Sequence, residues 1–329
     1  MRSTRRLACT LALAATALGA TTLAPMAAAQ SYPSRPVTLV VPFPPGGGTD
    51  ATSRLMAEKF TVLNQWTVVV ENRPGAAGNI GLDAVAKAPA DGYTIGMGQA
   101  SNLSINPALY AKMPFDPLKD FTPIVEIAVQ PVVLVVRADS PFKTLADFIK
   151  AAKAKPGEYS IAHAGNGTVG HLAGEMLARR AGIQVLQVPY KGAGPAMNEL
   201  LGGQVQLYFG NSVSVMSQMT GGRVRALAVS SGQRLPVIGQ VPTVAEQGFP
   251  GFDASTWLGF VGPAGMPADV VARINKEVVA MVARKDVQEK LASEGNIPVT
   301  GTPQQFGAFI KAEHTKWGTL IREANIKLE

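Results

Sequence analysis

The chain has 329 residues, 47% hydrophobic and only 16% charged, which gives room for two ordinary domains and excludes a disordered chain. Its formal charge is +7, but the basic residues are scattered, which excludes a recognisable nucleic-acid module. A single cysteine, Cys9, excludes a disulfide framework and a thiolate metal site.

Residues 1–30 read as a signal peptide. Arg2, Arg5 and Arg6 form a basic start, Leu7 to Leu23 an apolar run, and Ala27-Ala28-Ala29 a small-residue cleavage region. The flanks of Arg5-Arg6 fit the twin-arginine motif poorly, so the general secretory route is expected. Cleavage removes Cys9 and three of the positive charges. No later apolar run is long enough to span a membrane, and a periplasmic protein is expected.

Val37 to Val41 reads as a buried strand, followed by Pro42-Phe43-Pro44-Pro45-Gly46-Gly47-Gly48-Thr49-Asp50. Ala51, Leu55, Met56 and Phe60 then recur at helical spacing, with Thr49 or Asp50 as the expected cap. A glycine-rich turn at a helix start exposes backbone amides to an anion; the same turn also suits tight packing with nothing bound. Thr67 to Val70 is a second strand, and Gly75-Ala76-Ala77-Gly78-Asn79 leads into a second helix. Tyr93 to Met97 is a third strand, and the polar run after it makes Ser101 and Asn102 either site residues or helix caps.

Ile124 to Val136 is an extended run broken by Pro131, which suits a crossing between lobes. Thr144 opens a helix. Tyr159 to Ala162 is a strand, and Gly165-Asn166-Gly167-Thr168 repeats the opening theme before a helix carrying Leu172, Met176 and Leu177. Ile183 to Pro189, Gln204 to Phe209 and Arg225 to Ser230 are further strands, with polar ends at Tyr190 to Pro195 and at Gly210-Asn211-Ser212. Phe252 to Phe260 reads as the return crossing. Helices follow, with stripes at Val270, Ile274 and Val278 and at Phe306, Phe309 and Ile310. The expected fold is α/β: two lobes, each a mostly parallel sheet flanked by helices, joined by two crossing strands. Lobe 1 comprises residues 31–131 and 254–329, and lobe 2 residues 132–253.

Gly165 to Gly170 matches a dinucleotide fingerprint literally, but the next strand carries Gln184 and Gln187 where an acid is required, so no nicotinamide cofactor is expected. The opening turn lacks the Lys of a nucleotide P-loop. His163, His171 and His314 show no metal spacing, and there is no nucleophile elbow. Catalysis, metals and other cofactors are therefore not expected. Lys191 and Arg73 lie near the loops and read as solvated charges.

Taken together, Phe43 to Asp50, Glu71 to Asn79, Ala90 to Tyr93, Gly165 to Thr168 with His171-Leu172, Val188 to Gly192, Arg225 to Val229 and Val241 to Glu246 resemble the Bug-type receptors of tripartite tricarboxylate transporters. The resemblance runs in family order over essentially the whole chain after the leader, with departures at Gly210 and near His163. It implies a monomeric hinge-closing receptor of the type II-like binding-protein fold, handing a small carboxylate (an amino acid, a di- or tricarboxylate or an aromatic acid) to membrane permease subunits. It also implies ligand-binding residues: Phe43, Pro44, Gly46, Gly47, Thr49 and Asp50 on the first loop, and Ser101 and Asn102 after the third strand. From the second lobe come Ala164, Asn166, Gly167, Thr168, Tyr190 and Asn211. A receptor serving a sensor protein, or a periplasmic enzyme on the same scaffold, are the alternatives.

Overall fold

A long central strand, β4 (Phe121–Arg137), ties the molecule together. The computed structural model describes residues 32–323 and residue 326; the signal peptide expected at 1–30 lies outside the described residues. Before β4 come β1 (Val37–Val41), α1 (Gly48–Asn64), β2 (Val68–Asn72), α2 (Asn79–Ala86) and β3 (Thr94–Gln99). A π-helical turn, Ser101–Ile105, and the short α3 (Asn106–Leu109) follow β3. After β4 come α4 (Leu145–Ala154), β5 (Ser160–His163), α5 (Val169–Ala181), β6 (Leu186–Pro189) and α6 (Ala193–Leu201). Then follow β7 (Leu207–Asn211), α7 (Ser212–Thr220) and β8 (Val224–Val229). The chain ends with β9 (Ser255–Pro263), α8 (Ala268–Val282), α9 (Lys285–Ser293), β10 (Ile297–Pro298) and α10 (Pro303–Glu323).

The strands form one curled sheet in the order β2-β1-β3-β9-β4-β7-β5-β6, with β8 and β10 also pairing with β4. β1 is parallel to β2 and β3, and β5 is parallel to β6 and β7. These flanks are the parallel strands that strand–helix alternation predicts. β4 and β9 are antiparallel to each other and to their inner neighbours, so the sheet as a whole is mixed.

Pro131 marks a change of partner along β4. Residues Phe121 to Pro131 pair with β9, whereas Val132 to Arg137 pair with β7 and β8. Proline has no amide to donate, so the ladder is interrupted where one half of the sheet ends and the other begins. Ser230 stitches this point. Its amide donates to the Val132 carbonyl at 2.9 Å, and its carbonyl accepts from Ala254 at 3.0 Å. Its hydroxyl accepts from the Val132 amide at 3.0 Å and donates to the Ala254 carbonyl.

The C-terminal helices return to the first half of the sheet: α8 packs on β4 and α1, and α10 on β4, α3 and the π-helical turn. Trp257 of β9 seats the last helix through edge contacts with Phe306 at 5.6 Å and Phe309 at 5.5 Å. The buried stripe of α8 runs through Val271, Ile274, Val278 and Met281, so Val271 rather than Val270 faces the core.

Candidate functional site

The first wall of the site is the start of α1. The helix begins at Gly48, its N-cap is Gly47, and no side chain caps it. The expected cap at Thr49 or Asp50 is thus displaced into the first turn. Asp50 instead reaches back, accepting from the Gly46 amide at 2.9 Å, from Asn72 Nδ2 at 2.9 Å and from Arg54 Nε at 3.0 Å. Burial opposes its charge, but these donors together outweigh burial and hold the carboxyl below its usual pKa. The Thr49 hydroxyl donates to Gln99 Oε1 at 3.2 Å. The loop is therefore braced from behind, and its front presents the first amides of α1, which have no intrahelical acceptor.

The second wall is the start of α5. Thr168 is the N-cap; its hydroxyl donates to the Gly165 carbonyl at 2.7 Å and accepts from the His171 amide at 3.4 Å. Two buried histidines support the loop. His163 Nδ1 accepts from the Gly165 amide at 3.4 Å, and His171 Nδ1 accepts from the Gly167 amide at 3.3 Å. Burial pushes both imidazoles down, His163 to about 3 with help from its neighbour and His171 to about 4. Both are neutral at ordinary pH, as two acceptors require. The amides of Gly165 and Gly167 are thereby spent, and Val169 and Gly170 carry the free helix-start amides of this wall.

The ends of β3, β7 and β9 complete the enclosure. Asn211 caps α7, its Oδ1 accepting from the Ser214 amide at 3.0 Å. Phe43, Pro44, Gly47, Gly48, Thr49, Gln99 and Ser101 face Ala164, Thr168, Val169, Gly170, Gly192, Ala193 and Tyr208 to Asn211 across a narrow cavity. Val132 and Thr256 lie at the crossing strands. None of the described lining residues is Asp, Glu, His, Lys or Arg. The two halves touch at the rim: a Cβ added at Gly192 would lie 3.0 Å from Pro44 Cγ, and one at Gly48 would lie 2.9 Å from Asn211 Oδ1. An outer hollow shares Phe43, Pro44, Ala164 and Gly192 and adds residues 74–78, Tyr110, Gly165, Asn166 and Pro189 to Lys191. Its turn is unusual in placing Ala76 and Ala77 at φ of 47° and 50°, the left-handed region that L-residues seldom adopt.

Of the residues expected from the sequence, Phe43, Pro44, Gly47, Thr49, Ser101, Ala164, Thr168 and Asn211 line the cavity, and Asn166 and Tyr190 line the outer hollow. Gly46, Asp50, Asn102 and Gly167 line neither. Asn102 is buried and accepts from the Gln99 amide at 3.0 Å, whereas Gly167 packs against Asn106. The sequence reading missed Gln99, Val132, Tyr208 and Thr256. Of these, Val132 and Thr256 lie within the crossings it identified. No group of three or more His, Cys, Asp or Glu that could hold a metal occurs among the described residues, and none of their helices is long and apolar enough to cross a membrane.

Two helix N-termini at one cavity between two half-sheets, with no ionisable side chain among its described lining residues, are an arrangement suited to an anion. That fold is the one shared by two-lobe periplasmic binding proteins, and the similarity to solved examples is close. A Rhodopseudomonas palustris protein, Rpa4515 with adipate, superposes with a TM-score of 0.88 at 36% identity, covering 90% of this chain and all of that one. MatC from the same species, with bound malate, gives 0.83 at 31% identity, over 88% of this chain and all of that one. Protein BugT of Bordetella pertussis is 37% identical, over 92% of this chain and 93% of its own. Residues 53–326 match the family described as the tripartite tricarboxylate transporter family receptor. The chain belongs to that family, whose members are periplasmic solute-binding receptors.

Proposed function

We propose that this protein captures a small carboxylate between its two lobes and delivers it to the membrane subunits of a tripartite tricarboxylate transporter. The observation that carries the reading is the pair of helix starts, Gly48-Thr49 and Val169-Gly170, that face one cavity with no ionised side chain among its described lining residues. Hydrogen bonds to a charged partner contribute roughly 1.5–3 kcal/mol each, so a few amides from each wall offset the desolvation of a carboxylate. An arginine in their place would itself have to be desolvated. The adipate and malate seen with the two R. palustris relatives support a carboxylate as the ligand class.

On this reading lobe 1 is residues 31–131 with 254–329, lobe 2 is residues 132–253, and the hinge lies at Pro131, Ser230 and Ala254. The protein works as a monomer in the periplasm after loss of residues 1–30, and turns nothing over. A ligand bridging both lobes favours the closed state. The test is a thermal-shift screen over carboxylic acids, since a ligand that binds only the folded state raises its stability, followed by solution scattering. A raised melting temperature with a smaller radius of gyration is expected; saturation with no change of radius would count against closure.

A further inference from the structure

The Tyr208 side chain takes the space that any side chain at position 210 would need. A Cβ built on Gly210 would lie 2.2 Å from Tyr208 Cε1 and 2.7 Å from its hydroxyl oxygen. Residues two apart on a strand share a face, so the ring lies over Gly210, and both residues line the cavity. The phenol is fully buried, and burial pushes it up to about 12, so it stays protonated. Its hydroxyl lies 3.4 Å from Ser214 Oγ, long for an O–H···O bond. Ser214 spends its own hydrogen on the Asn211 carbonyl at 2.9 Å, so the phenol is the donor in that weak contact. A closer acceptor would receive its hydrogen bond. Thr256 lines the same cavity, and its Oγ1 is buried with no hydrogen-bond partner; a buried hydroxyl left unpaired costs free energy.

We propose that Tyr208 and Thr256 are ligand-binding hydroxyls that set the class of ligand: an organic acid that brings oxygen acceptors to both and carries no amino group. The proposal rests on the receptor reading above and refines it. An ammonium entering this cavity would meet no carboxylate among the described lining residues, and a cation buried without a counter-charge is strongly disfavoured. The ring of Tyr208 bars a side chain at 210 from supplying one. An acid without the amino group finds donors suited to it: helix-start amides on two walls and these two hydroxyls.

The test is calorimetric titration of the receptor with three matched pairs: succinate and aspartate, glutarate and glutamate, 3-phenylpropanoate and phenylalanine. Each amino-free acid that binds should do so roughly a hundredfold more tightly than its amino counterpart. Tyr208→Phe keeps the ring over Gly210 and removes only the hydroxyl. It should weaken the bound acid about tenfold while leaving the melting temperature of the ligand-free protein unchanged. Thr256→Val should act likewise, with Thr256→Ser restoring affinity, and it serves in place of Tyr208→Phe should that variant fail to fold. An amino counterpart that binds as well as its parent acid overturns the proposal, and so does unchanged affinity in the folded hydroxyl variants. Binding of none of the six compounds, together with no stabilising acid in the thermal-shift screen, overturns the receptor reading as well, which separates the two failures.

Discussion

The rings of His163 and His171 lie 4.7 Å apart, tilted by 36°, and each offers its Nδ1 to an amide of the same glycine loop. The pair works only uncharged. Protonation would convert two acceptors into donors pointed at donors and place two like charges side by side.

The sign of the pH dependence follows. Both imidazoles have folded pKa values, about 3 and about 4, below the unfolded value of 6.5. Their stabilising contribution is therefore complete above pH 6.5 and is lost as pH falls from there toward 4. Each histidine contributes a slope of about 1.4 kcal/mol per pH unit in that window. Urea unfolding between pH 7 and pH 5 should show this loss, and His171→Gln should roughly halve its slope. Ligand affinity, a property of the folded state, should stay level down to the pH at which the acid itself begins to protonate.

Glu126 gives the opposite slope. Burial, with Glu313 nearby as a second negative charge, raises its folded pKa from 4.5 to about 7. Its contribution is fully present below pH 4.5 and disappears as pH rises through 7. Glu126→Gln should therefore stabilise the protein at pH 8, by about 2 kcal/mol, and change little at pH 4.5. Paired denaturation curves at the two pH values check both halves of the expectation.

Closure is also sensitive to a single methyl group at Gly48. A Cβ there would lie 2.9 Å from both Asn211 Oδ1 and Gln130 Oε1. Neither side chain is free to yield: Asn211 caps α7, and Gln130 Nε2 donates to Thr52 Oγ1 at 3.2 Å. Gly48→Ala should fold, bind the acid found by screening about tenfold more weakly, and show less compaction in scattering. Full compaction at wild-type affinity would remove the steric argument.

Charge and backbone can be separated by four substitutions. Arg73 pairs with Glu71 at 2.8 Å on the exposed rim, and Lys191 borders only the outer hollow. Arg73→Ala and Lys191→Ala should change affinity less than about threefold. Gly47→Val should fill the cavity mouth, and Thr168→Val should remove the cap that shapes the second wall. Each should weaken binding about tenfold or more. The opposite pattern in titration would mean that an ion pair holds the ligand.

Both loop-to-helix walls were legible in the sequence because glycine runs at strand ends and helical apolar spacing are local signals. Pro131 likewise marked the crossing. The hydroxyls were read less well. Thr49 and Thr168 stand in the expected loops, yet both turn inward, to Gln99 and to the Gly165 carbonyl. Tyr208 and Thr256 looked like ordinary strand residues, because alternation along a strand distinguishes its two faces but not which face meets a cavity. The two-residue β10 left no periodicity to detect. The start of α1 at Gly48 was hidden because no side chain caps it.

The stitch at Ser230 also determines how the cavity opens. Val132, bonded to Ser230, lines the cavity floor, and Thr256 lies beside the residue that pairs with Pro131. On the closing motion proposed above, the floor is the fulcrum and the contact of Pro44 with Gly192 lies out along the lever arm. Rotation about the fulcrum barely shifts the floor, while the far lip swings widely. Thr256 thus keeps its place in the open receptor, and a ligand can be tested against the floor before the lip shuts over it.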